Sequence, residues 1–82
     1  MLVHDERTVG EGIRGSREYQ GMTGFGACAI IEGFAGHEDS TEAEQHAAWQ
    51  YLVDSGQAWT LQGFYGRNAQ RLIETGVIEA AI

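Results

Sequence analysis

Over most of this chain the apolar positions recur with the period of a helix rather than the alternation of a strand. The clearest case lies in residues 42–55, where Ala48, Trp49, Leu52 and Val53 share one face. Thr41 followed by Glu44 is a capping box, and Glu42 with Glu44 suits the positive end of the helix dipole. The pattern predicts a helix from about Glu42 to Ser55, stopped at Gly56. A last helix is expected from Phe64 or Tyr65 to Thr75, with Tyr65, Ala69, Leu72 and Ile73 inward. Gly76 is its expected left-handed stop, behind which Val77 and Ile78 fold back. Between these two helices, Gln57–Gln62 reads as a brief helical turn. Ala58 and Leu61 share one side of it, Trp59 stands beside them, and Gly63 ends it.

Upstream, MTGFGACAIIEGFAG (residues 22–36) reads as a helix from about Thr23 to Phe34, with Thr23 as N-cap and Gly36 as stop. A strand through Ala27–Ile31 fits the same short apolar run, which periodicity alone does not resolve. His37 to Ser40 form a polar turn. Residues 1–21 hold four of the twelve glycines, and their apolar anchors (Leu2, Val3, Val9, Ile13, Tyr19) follow no helical spacing. They are expected to form an arm with little regular structure, the alternative being a short strand or hairpin that packs only when the core or a partner is present. The sum is an all-α fold: a small bundle of three to four short helices over residues 22–82, preceded by a poorly structured N-terminal arm.

Composition adds limits. A chain of 82 residues buries only about 60% of its unfolded surface, and Cys28, the single cysteine, has no partner for a disulfide. Small folds without such staples gain stability by self-association or by docking on a partner, so a homodimer is a live expectation. Twelve acids against five bases, all five arginine, give a net charge of −7. That balance argues against nucleic acid as a partner, because a phosphate-backbone binder needs a basic face. The acids Glu38, Asp39, Glu42, Glu44 and Asp54 read as a solvated face, or more sharply as a surface aimed at a basic site on a partner protein. No apolar run approaches the roughly 20 residues of a membrane span, and the first residues lack the order of a secretory signal. With an unpaired cysteine, cytoplasm is the expected compartment.

Candidate chemistry is sparse. His37 and His46 stand nine residues apart, a spacing that matches no zinc motif, and with Glu38, Asp39 and Glu42 they read as a solvated polar face. Cys28 lies on an apolar face without a basic neighbour to activate it, so inert packing is its ordinary role. Ser, His and Asp residues are present without any catalytic frame. No enzymatic activity, metal or cofactor is expected. Gly63-Phe64-Tyr65-Gly66-Arg67 has the G-x-x-G spacing of a loop that approaches a nucleic-acid backbone, and Arg67 and Arg71 lie one turn apart beside it. The plainer account is that these glycines let two helical segments meet closely. Trp59, Phe64 and Tyr65 are candidates for an aromatic patch that anchors a protein interface. Trp49 and Tyr65 suit the core, and Trp59 and Phe64 suit partial exposure.

The stretch LVDSGQAWTLQGFYGRNAQRLIETGVI, from Leu52 to Ile78, resembles a family of very short bacteriophage proteins. Their shared signature reads LVDTG-x-AW-x-LQG-x-YGR-x-A-x-x-LIE-x-G-x-I. Residues 30–51 are similar to the looser acidic lead-in of that family, and residues 1–21 fall outside it. The resemblance implies a phage-encoded protein of the host cytoplasm, and the lysine-free composition suits an actinobacterial host. It carries no catalytic or binding residues with it. The leading expectation is therefore an interaction factor that binds a host protein during infection. A nucleic-acid-binding module using the Gly63–Arg67 turn is the runner-up, and a virion or assembly component the third reading.

Overall fold

The structure, a computed structural model, describes residues 7–81. Among these residues it is all helical: α1 (Val9–Arg14), α2 (Gly24–Glu32), α3 (Glu42–Asp54), a 3₁₀ turn (Gln57–Trp59) and α4 (Gly63–Glu74), with no strand. The strand alternative over Ala27–Ile31 is thereby excluded.

The central helix, α3, starts where its capping box sets it. Thr41 Oγ1 accepts from the Glu44 N–H at 3.1 Å, and Glu44 Oε1 accepts from the Thr41 N–H at 2.7 Å. It ends at the turn where Gly56 takes a left-handed conformation, φ 81°. Ala48, Trp49, Leu52 and Val53 are buried as the pattern predicts, and so are Ala47 and Gln50. Ala27 and Ile30 of α2 pack on this stripe from one side, and Ala58, Tyr65, Ala69 and Ile78 complete the core. Burying a side chain the size of Leu52 contributes about 1.5–3 kcal/mol, and a core this small has few such residues.

Three boundaries differ from the sequence reading. Thr23 does cap α2, accepting from the Gly26 N–H at 3.0 Å, but the helix stops at Gly33 rather than Gly36. Gly33 takes φ 72°, and the N–H groups of Gly33 and Phe34 both close on the Ala29 carbonyl. The first glycine able to turn left-handed ends the helix, so the second only shapes the loop. The 3₁₀ turn is shorter than Gln57–Gln62 and leaves Leu61 outside, exposed, while Ala58 alone goes in. Gly63 opens α4 instead of ending the preceding turn.

The C-terminal end follows the expected motif closely. Gly76, at φ 79°, lets its own N–H reach the Ile73 carbonyl at 3.1 Å and the Val77 N–H reach Leu72 at 2.9 Å. The chain then reverses and drops Ile78 into the core.

The expected arm splits in two. Residues 1–6 lie outside the described residues. Residues 7–21 carry more order than an arm, because α1 begins with a second capping box, Thr8 with Glu11. That helix is held from outside itself. Glu79 Oε1 accepts from Thr8 Oγ1 at 2.7 Å and from the Gly10 N–H at 3.0 Å. Arg14 grips Asp54 with two parallel bonds, Nε to Oδ2 at 2.7 Å and Nη2 to Oδ1 at 2.9 Å. The Tyr19 hydroxyl adds a third, donated to Asp54 Oδ2 at 2.8 Å. Asp54 is thus a partly buried hub and leaves the solvated acidic face to which its sequence neighbourhood assigned it. Burial alone would raise its carboxyl. Hydrogen bonds from Arg14, Tyr19 and Gln50 outweigh that and hold it below the ordinary value. The Asp54 bond and the facing charges raise Arg14 above its ordinary value, although burial opposes them. Burial and the same carboxylate push Tyr19 up to about 12.

Candidate interaction surface

The 3₁₀ turn and the start of α4 put three large apolar side chains outside. Trp59 is 49% exposed, Phe64 44% and Leu61 37%. They are held there by the core behind them. Gln57 to Trp59 form a single turn, and it seats only Ala58 inward. Phe64 rests one side of its ring on the buried aromatics: its centroid is 6.2 Å from Trp49 and 5.1 Å from Tyr65, edge-on to the latter. Trp49 and Tyr65 in turn lie 5.8 Å apart. An aromatic cluster therefore runs from the core to the surface and fixes the outermost ring, which leaves Phe64 little freedom to lose on contact.

Tyr65 does not belong to this surface. It is 3% exposed, and its hydroxyl donates to Glu32 of α2. Burial, the Glu32 contact and the neighbouring Cys28 thiol all raise its pKa. The helical period explains the split: one residue is a step of about 100°, so Phe64 and Tyr65 cannot face the same way.

The same arithmetic places Arg67 and Arg71 on the outer arc of α4, between Phe64 at one edge and Gly66 at the other. Trp59 lies against that second edge, since a Cβ built on Gly66 would meet its Cε3 at 3.7 Å and the Ala58 carbonyl at 3.5 Å. These are ordinary contact distances, so the helix packs on the turn without requiring glycine at 66. Arg67 folds its guanidinium back over the first turn of α4, where a Cβ on Gly63 would lie 2.8 Å from Nη1. Both arginines are exposed, and among the described residues neither makes an ion pair or side-chain hydrogen bond.

A second aromatic pair escaped the sequence reading. Phe25 and Phe34 are exposed on and just beyond α2, edge to face at 5.8 Å. Their contact depends on the early stop at Gly33, which turns Phe34 back towards Phe25. Among the described residues no three His, Cys, Asp or Glu side chains gather so as to hold a metal ion. No helix there is long and apolar enough to cross a membrane.

Comparison with known proteins places this geometry in a family. The model of the domain of unknown function DUF7417 matches residues 34–81, more than half of the chain, which therefore belongs to that family. The matched part holds α3, the 3₁₀ turn, α4 and the tail, and with them the whole of the Trp59–Phe64 surface. No curated protein and no solved structure matches the chain.

Proposed function

We propose that this chain is an interaction protein, and that it docks on another protein through the surface formed by Trp59, Leu61 and Phe64. The observation that carries this reading is the exposure of three large apolar side chains within six residues, at the 3₁₀ turn and the start of the helix that follows it. Buried aromatic anchors dominate the energetics of protein interfaces, and Trp and Tyr are the types most enriched there. A small domain lacking disulfides has little reason to leave such area wet unless something covers it. The resemblance of Leu52–Ile78 to short bacteriophage proteins supplies the setting: the chain acts in the host cytoplasm, on a host protein, during infection. Catalysis has no part in the reading.

Capture with a tagged full-length chain from bacterial host lysate, with and without nuclease, tests it. One dominant protein, retained after nuclease and lost with W59A/F64A, is the expected result. Recovery that vanishes with nuclease would replace it by nucleic-acid binding.

A further inference from the structure

The outer arc of α4 carries two bases, Arg67 and Arg71, against one acid, Glu74, so its net charge is opposite to that of the chain. Of the five bases, Arg67 and Arg71 are the only two in residues 22–82, against eight acids there (Glu32, Glu38, Asp39, Glu42, Glu44, Asp54, Glu74, Glu79). Both stand on the outer arc of α4 between the two exposed aromatics, and both are unpaired among the described residues. Arg14, by contrast, is consumed by Asp54. Two free guanidinium forks beside an apolar ledge define what fits. From this juxtaposition we infer that the partner docks an acidic stretch of protein bearing at least one large apolar side chain; the inference rests on the reading that this face is a docking surface.

The chemistry is specific in two ways. The apolar side chain covers Phe64 at one edge of the arc or Trp59 at the other, while carboxylates meet the arginines between them in the planar two-bond geometry that guanidinium favours. Residues four apart on a helix have Cβ atoms about 6 Å apart. Acids two residues apart on an extended segment, about 6.6 Å, or four apart on a helix therefore meet both forks. Nucleic acid fits poorly, since two cations neutralise few phosphates and the remaining surface repels the polyanion. A strongly acidic protein would also be repelled at long range, so a short acidic motif set in a less charged surface fits best.

Panning a random linear-peptide library against the immobilised full-length chain tests this, with R67E/R71E and W59A/F64A as parallel baits. Both variants change exposed side chains, and circular dichroism checks that they fold. The expected pool is enriched in Asp plus Glu about twofold over the input, beside aromatic or branched aliphatic residues. A synthesised peptide from that pool should bind R67E/R71E about tenfold more weakly, the size of two exposed ion pairs, and should weaken further as salt rises. A pool without acid enrichment, or one held equally by R67E/R71E, overturns the acidic partner while leaving the docking surface in place. A pool held equally by W59A/F64A, or no pool at all, overturns the docking surface and the inference with it. Single-stranded DNA bound as tightly as the best peptide would assign the arginines to nucleic acid.

Discussion

Gln50, fully buried in the middle of α3, pairs its side-chain amide with the backbone of Glu79 in both directions. Nε2 donates to the Glu79 carbonyl at 2.7 Å, and Oε1 accepts from the Glu79 N–H at 2.9 Å. One polar side chain thereby does for the tail what a neighbouring strand would do, and among the described residues no buried side-chain nitrogen or oxygen is left unmet. Nε2 also donates to Asp54 Oδ1 at 3.1 Å, so tail and N-terminal segment are fastened to α3 through adjoining side chains.

Replacing Gln50 with Leu should therefore destabilise the fold despite adding an apolar group to the core. Two backbone groups lose their partners, at about 1–3 kcal/mol for each left buried. Urea unfolding should show a loss of roughly 3 kcal/mol, and amide exchange at Glu79 should accelerate most.

Asp54 fastens the N-terminal segment. Asp54→Asn removes the charge that Arg14 and Tyr19 face, and should cost about 1–3 kcal/mol. The loss should be local, with trypsin cutting after Arg14 and Arg17 before the rest of the chain unfolds.

The same contacts fix the response to pH. The Asp54 carboxyl is depressed in the folded state, so its contribution is complete above the ordinary carboxylate value and is lost as pH falls through the depressed one. Stability should decline below about pH 4, and less so in Asp54→Asn. Tyr19 is raised, so its contribution is complete below about pH 10 and lost as pH climbs towards about 12. Absorbance of tyrosinate should show late titration from both Tyr19 and Tyr65, and Tyr19→Phe should remove the earlier of the two steps.

Two glycines of the same segment should respond in opposite directions to alanine. Gly76 has φ 79°, and Gly76→Ala should cost about 1 kcal/mol. Gly66 lies inside α4, and a Cβ there would meet only ordinary contacts at 3.5 and 3.7 Å. Gly66→Ala should raise stability by about 0.5–1 kcal/mol, read as a higher denaturant midpoint.

The contrast between these glycines shows where sequence was informative. Local signals read true: the Thr41–Glu44 box, the Thr23 cap, the Gly76 stop and the inward stripes of α3 and α4 are written in a few adjacent residues. Helix α1 had such a signal too, Thr8 with Glu11, but Gly10 and Gly12 have low helix propensity and masked it. Its stability comes from Asp54 and Glu79, far along the chain, which no local pattern reveals. The burial of Gln50 and the removal of Asp54 from the solvated face share that cause. At the candidate surface, the split of Trp49 and Tyr65 from Trp59 and Phe64 followed from core size and period. Leu61 was misplaced because the turn proved one residue triplet long, and Arg67 and Arg71 became informative only once their lack of partners was visible.

The measurement that bears most directly on the account is capture by wild type and W59A/F64A at matched stability, after nuclease treatment. Both side chains are about half exposed, so the double variant should lose little stability and keep its helical spectrum. The account predicts one partner on the wild-type chain and its loss on the variant. Equal recovery on both would contradict it and move the interface elsewhere on the molecule.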